Sequence, residues 1–339
     1  MTSGVDLSSG IDPSAEHALA DAPSGVFRFA ENFLVAAYDP SADLALWTHL
    51  GTWPDDFGLW EDQVLCALPG DEGMLWSSSY SRTPADQRPG GANLSFRCVE
   101  PFRRWCATYD GVVVRSPYAE VRSGRVRDGD KERLTFELEL ECVAPAWDPA
   151  GGHAVGALDG QAWASQHYQQ LFRAIGHVHL EDRSVEFHGT GVRDHSRGQR
   201  GHATDRFGGH DLITAAFPDG RAFGMMRMWD PQGVVNLDVG YVVIDGQLHP
   251  VEILDAPRLA KDFRLRGEEL TLSLRSSLGI HELRGRVAAT TVVTALRHLG
   301  MAFGADAERG ETVFAQSFAE WEWDGEVAHG LTERSDRLG

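Results

Sequence analysis

Lysine is nearly missing from this chain of 339 residues: only Lys131 and Lys261 occur, so almost all its positive charge is arginine. Positive charge as a whole is short too, with 31 Lys and Arg against 50 Asp and Glu and a net charge of −19. Nucleic acid and anionic membrane surfaces reward the opposite sign, so neither is expected as a partner. Cysteine is scarce. Cys66, Cys98, Cys106 and Cys142 stand at no metal-knuckle or redox-pair spacing, which predicts free thiols in a reducing compartment. No stretch approaches the roughly 18 uninterrupted apolar residues of a membrane span. The N-terminal residues have neither the basic start nor the apolar core of a signal peptide. These absences point to a soluble, cytoplasmic protein.

Period-two patterning is what the sequence does have. In Leu134–Cys142, Leu134, Phe136, Leu138, Leu140 and Cys142 share one face, and Thr135, Glu137, Glu139 and Glu141 take the other. That alternation is a strand with one buried side. Leu237–Ile244 and Leu270–Leu274 read the same way, and Val313–Trp323 alternates with aromatics on both faces, as expected of a strand with apolar contacts on two sides. Asp110-Gly111, Asp128-Gly129, Asp219-Gly220, Asp245-Gly246 and Asp324-Gly325 each separate strand-like runs, and Asp-Gly favours the positive backbone dihedrals of tight hairpins. Such a pattern predicts an all-β chain of antiparallel barrels or sandwiches. One short helix is expected at 159–171, from the spacing of Trp163, His167, Gln170 and Leu171. Residues 1–24, small, polar and acidic, read as a disordered leader. A boundary near Asp182-Arg183 then divides a first β domain, 25–182, from a second, 183–339.

The densest polar cluster is Gly189-Thr-Gly-Val-Arg193-Asp194-His195-Ser196-Arg197-Gly198-Gln-Arg200. Its Gly-x-Gly start is no dinucleotide fingerprint, because Asp194 stands at the third glycine and no apolar helix follows. From composition alone, the cluster reads first as a polar loop with Asp194 held by Arg193 or Arg197 in a structural ion pair. His177-Val-His179 puts two imidazoles on one strand face, but no carboxylate stands at a ligand spacing, so no metal is assigned. No nucleophile-elbow pattern accompanies Ser196.

The run Gly189-x-Gly191-x-x-Asp194-His195-Ser196-Arg197-Gly198 resembles the G-x-G-x-x-D-[H/R/K]-x-W-G signature of the AttH-like double-lipocalin superfamily. That superfamily includes carotenoid 1,2-hydratases (hydroxyneurosporene synthases) and fungal pericyclases that close decalin rings. His167–Leu180 resembles the tyrosine-containing segment leading into that signature. Phe217–Phe223 and Gly330–Ser335 resemble a bacterial branch of it. Arg197 stands where better-known members carry tryptophan. The resemblance implies two tandem lipocalin-like β domains around an apolar cavity.

Cofactor-free hydration or dehydration, isomerisation or cyclisation of an apolar unsaturated molecule (isoprenoid, steroid-like, polyketide or aromatic alkene) is the expected activity. Burial raises a carboxyl pKa, so Asp194 is the expected proton donor, with His195 and His210 as helpers. Tyr168, Arg193, Arg197, His49 and Trp60 are the expected substrate contacts, and Trp229, Tyr241 and Trp321 the rings that would face a cation. The competing reading is a carrier in which arginines clamp a ligand carboxylate. An Asp194 salt-bridged to those arginines would favour it. A homodimer is left open.

Overall fold

The computed structural model describes residues 6–123, 129–149, 164–181, 183–200, 207–296, 300–304 and 312–338. Among them, strands form two antiparallel sheets. The first holds β1 (Phe29–Asp39), β2 (Leu44–Trp53), β3 (Asp56–Ala67), β4 (Met74–Arg82), β5 (Leu94–Glu100), β6 (Arg104–Ser116), β7 (Lys131–Cys142), β8 (Gln166–Leu180) and β9 (Arg183–Gln199). The second holds β10 (Gly209–Ala216), β11 (Ala222–Trp229), β12 (Val235–Ile244), β13 (Gln247–Pro250), β14 (Glu252–Asp255), β15 (Glu269–Ser276), β16 (Gly279–Leu296), β17 (Gly300–Phe303), β18 (Thr312–Trp323) and β19 (Glu326–Arg337).

Both sheets run as meanders whose first strand also pairs with the last, giving the orders β4-β3-β2-β1-β9-β8-β7-β6-β5 and β13-β12-β11-β10-β19-β18-β16-β15-β14. Pairing of β4 with β6 brings the first sheet round on itself. In the second, the edge strands β13 and β14 are separated only by Val251, whose N–H donates to the Gly240 carbonyl at 3.0 Å. Each barrel has its own core: Phe33, Trp60, Trp105, Phe136 and Phe172 in the first, and Phe217, Phe223, Leu272, Trp321 and Trp323 in the second. A third cluster, containing Trp47, Leu171 and Val192 from one sheet, Trp147 bridged to it at Gln169, and Val239, Tyr241, Phe318 and Leu331 from the other sheet, binds the two barrels together. The expected all-β architecture of tandem lipocalin-like domains is the one observed.

Several expectations need correction. Gln166–Leu171 is strand, not helix, whereas Trp163 lies outside the described residues. Tyr168 and Phe172 face the first core while Leu171 faces the other barrel, and burial on both faces hides the period of two. Asp110-Gly111 lies inside β6. A Cβ at Gly111 would sit 2.5 Å from the Tyr109 hydroxyl, so that glycine serves a close approach, not a turn. The turns at Asp245-Gly246 and Asp324-Gly325 have positive φ at both residues, as tight hairpins require. The strand beginning at Arg183 completes the first sheet between β1 and β8, so the passage between barrels comes after Gln199, not at 182–183.

The described part of the leader is ordered by its contacts. A short turn at Pro13–Glu16 inserts Glu16, wholly buried, among interior-facing side chains of the first barrel. Glu16 accepts from the Phe102 N–H and the Trp105 indole, both at 2.9 Å, and from the Tyr168 hydroxyl at 2.6 Å, and it pairs with Arg193 at 2.8 Å. Burial works against its charge, but Arg193 and these donors outweigh it and hold the carboxyl below its ordinary range.

The second barrel buries a carboxyl on other terms. Asp211 on β10 is fully buried, and both its oxygens lack a hydrogen-bond partner among the described residues. Burial pushes its pKa up to about 7 despite the nearby His210, Arg334, Arg258 and Arg227. A carboxyl that binds its proton more tightly when folded favours the fold most fully below its unfolded pKa. It loses that advantage as pH rises toward 7. Asp211→Asn is therefore expected to raise the unfolding midpoint at pH 8 and leave it nearly unchanged at pH 4. The largest gain consistent with the shift is about 4 kcal/mol. Thermal melts of both proteins across this range check it, and an equal effect at both pH values would contradict it.

Candidate functional site

The cluster singled out in the sequence lies along β9, and strand geometry splits it between two environments. Alternate residues point to opposite faces, so Arg193, His195 and Arg197 turn into the first barrel while Asp194 and Ser196 turn toward the second. Gly191 belongs to the same strand for a packing reason, since a Cβ there would lie 2.0 Å from the Ala36 carbonyl oxygen of β1.

On the inner face, the expected substrate contacts form a closed network. Arg193 donates to Gln170 at 2.5 Å and lies over the Trp105 ring at 5.1 Å. His195 stacks on Phe33 at 3.9 Å, with its Nε2 2.9 Å from Glu31 and its Nδ1 2.9 Å from the Tyr168 hydroxyl. Arg197 donates to Glu31 at 2.6 Å and to Gln166 at 2.8 Å. Burial lowers the His195 pKa against the pull of Glu31. Tyr168, Arg193, His195 and Arg197 are thus buried side chains held by protein partners, although Arg193 Nε has no hydrogen bond among the described residues, and none lines the pocket described below. Trp60 and Trp321 lie in the two barrel cores. Tyr241 packs on Trp147 at 4.9 Å between the barrels, and Trp229 lies beneath Arg258 at 4.2 Å. His49 stacks on Trp47 at 5.9 Å. None of these aromatic groups lines the pocket described below.

The outer face is different. Asp194 and His210 line one pocket of about 310 Å³ between the barrels, together with Leu34, His167, Ser196, Arg200, Phe207, Leu212, Met226, Met228 and Glu333. That is the small end of the range for ligand sites, and its walls have the expected character, apolar with a few polar groups. His167 Nε2 lies 2.5 Å from Asp194 Oδ2, which also accepts from the Gln169 amide at 2.9 Å. On the facing wall, His210 Nε2 lies 2.5 Å from Glu333 Oε1, and its Nδ1 lies 2.7 Å from Ser335 Oγ. Asp194 Oδ1 and Glu333 Oε2 have no hydrogen-bond partner among the described residues. Phe207 and Phe314 flank the His210 ring at 5.6 and 5.5 Å. Arg200 donates to Ser196 Oγ at 3.1 Å.

Asp194 is not the protonated acid expected from burial. Burial does oppose its charge, but His167 and the Gln169 amide more than compensate and hold its pKa below the ordinary carboxylate value. Nor is it salt-bridged to Arg193 or Arg197, whose carboxylate partners are Glu16 and Glu31.

The two walls share a register. Gln169, Asp194 and Leu34 lie abreast on β8, β9 and β1, and Gln316, Glu333 and Leu212 lie abreast on β18, β19 and β10. Ser196 and Ser335 follow the two carboxylates at the same offset. The imidazoles differ in origin: His167 is opposite Ser196 on β8, whereas His210 is opposite Ser335 on β10. Sequence reasoning missed His167 by placing it on a helix, and it missed Glu333 altogether. Its only available signal was the Glu-x-Ser that repeats the Asp-x-Ser at 194–196.

A family model described as a domain of unknown function, DUF7064, matches residues 14–337. The chain belongs to the DUF7064 family. No curated protein matches its sequence. Among solved structures, this DUF7064 chain is similar to an AttH protein from Nitrosomonas europaea, at 13% identity and TM-score 0.52 over 92% of this chain and 93% of that one. CghA solved with Sch210972 matches at 12% identity and TM-score 0.53, over 95% and 94%. Kievitone hydratase from Nectria haematococca matches at 8% identity and TM-score 0.52, over 91% and 89%. At such identities the likeness is one of fold, and it places this DUF7064 chain in the AttH-like double-lipocalin architecture that the Gly189–Gly198 run suggests.

Proposed function

We propose that this protein is a cofactor-free proton-transfer enzyme whose site is the pocket between the barrels. Its substrate is an apolar unsaturated small molecule, and its reaction is a hydration or dehydration, an isomerisation or a cyclisation. The observation that carries this reading is the convergence of two carboxylate–imidazole pairs, one from each barrel, on a pocket walled by Leu34, Leu212, Met226, Met228 and Phe207. Hydration, dehydration, double-bond isomerisation and acid-initiated cyclisation each need a proton given and a proton taken, and paired groups on opposite walls can do both. Asp194–His167 and Glu333–His210 are the two proton-handling pairs. A fold shared with a protein named as a hydratase agrees with this.

Arg200 in the same pocket supports a second reading, a carrier that holds an apolar carboxylate. Native mass spectrometry of protein from its own source, followed by extraction of the ligand, separates the two. A recovered alkene or enone that wild type converts supports the enzyme, whereas a ligand returned unchanged supports the carrier.

A further inference from the structure

The pocket's charges bear on the route of the reaction. A route through a carbocation needs an acid able to protonate an alkene and walls that do not repel positive charge. Asp194 is held ionised by His167 and Gln169, so it is a proton acceptor. Arg200, which lines the same pocket and hydrogen-bonds Ser196, adds a guanidinium that would oppose a cation. Arg200 follows β9 directly, and its bond to Ser196, two residues from Asp194 on the same strand face, puts the guanidinium on the Asp194 wall of the pocket. A base beside an oxyanion partner is the arrangement that removes a proton from the α-carbon of a carbonyl compound, and a carboxylate of modest pKa suffices when the enolate is stabilised.

We infer that the substrate carries a carbonyl conjugated to, or one carbon from, the reacting bond, and that the reaction runs through an enolate whose oxygen is held by Arg200. This rests on the pocket being the active site, as proposed above. In the dehydrating direction, Asp194 Oδ1 takes the α-proton, and the C–H electron pair becomes the C=C of the enolate, with negative charge on the oxygen at Arg200. The enolate then reforms its carbonyl, the α,β double bond forms, and the β-hydroxyl leaves. A proton from the Glu333–His210 pair on the opposite wall joins that hydroxyl, giving water. Hydration is the reverse, so no oxidant, reductant or metal enters the balance.

The test uses 4-nitrophenol as an enolate mimic and nitrobenzene as its neutral control. The host is the Asp194→Asn protein, whose asparagine stands for the base after it has taken the proton. Absorbance titration is expected to show the bound phenol ionising at least about one pH unit below the free phenol, equivalent to about a tenfold preference for the phenolate. Adding Arg200→Met should abolish the shift without changing nitrobenzene affinity, and Arg200→Lys should keep part of it. If nitrobenzene binds and the phenol shows no lowered ionisation, the oxyanion role is overturned while the pocket stands. If the shift survives Arg200→Met, Arg200 is not its source and the inference falls. If nitrobenzene does not bind the Asp194→Asn protein, the pocket reading and this inference fall together.

Discussion

Asp194→Asn should lower turnover of the native ligand by about 10²–10⁴-fold while leaving its binding within a small factor of wild type. The exchange preserves the size of the side chain and an oxygen for the His167 and Gln169 bonds. It removes the charge, and with it the capacity to take a proton at Oδ1. A loss confined to kcat is the sign of an interaction made in the transition state alone. Because the residue is part of a buried pair, the folded state must be checked as well. The thermal midpoint should change little compared with the loss of rate. Steady-state kinetics on the extracted ligand measure the first quantity, and a variant that turns over at the wild-type rate would remove Asp194 from the chemistry.

The largest effect on stability should come from Arg193→Ala. Without the guanidinium, the Glu16 carboxylate, the Gln170 amide and the Tyr168 hydroxyl remain buried, and the charge of Glu16 loses its ionic partner. Breaking one side of a buried ion pair costs about 3–5 kcal/mol. In a domain of this kind that corresponds to a fall in melting temperature on the order of 10 °C. The segment anchored by Glu16 should also become a target for limited proteolysis between residues 6 and 24. Removing both charges with apolar or neutral residues of similar size, Arg193→Met with Glu16→Gln, should recover most of the loss. Calorimetry of the single and double variants tests this, and a single variant within about 1 kcal/mol of wild type would contradict it. Acid should act on the same network. Glu16 and Glu31 both have lowered pKa values, so their contribution is complete above the ordinary carboxylate range and is lost as pH falls through the folded values.

Strand β7 was legible because one of its faces is wet, and the turns at 245–246 and 324–325 because their backbone needs asparagine-like or glycine residues. Strand β8 was not, since His167, Gln169 and Leu171 meet the second barrel while Tyr168, Gln170 and Phe172 meet the first core. With no solvent face, alternation of polarity has nothing to report. The leader was misread for a related reason: its few anchors, chiefly Ala15 and Glu16, act by fitting a prepared polar interior and contribute little apolar area. Within the site, Asp194 stood out through the density of charge around it, but density could not show which neighbours share its face. Strand geometry assigns Arg193, His195 and Arg197 to the other side. His210 was within reach of the sequence reading, but its partner Glu333 is distant in sequence and joins the pocket only because the barrels stack, which no local pattern encodes.

The matching rows Gln169–Asp194–Leu34 and Gln316–Glu333–Leu212 speak also to history. Tandem duplication of a gene for one barrel, whose product once met its own twin across a shared seam, would leave this register behind. In such a twin, every mutation at the seam is inherited by both sides at once. Fusion ends that bondage: one copy can draw its histidine from β8 and the other from β10, and one can shorten its acid to aspartate while the other keeps glutamate. An asymmetric molecule can then be accommodated by two walls that share a register but differ in their acids and imidazoles.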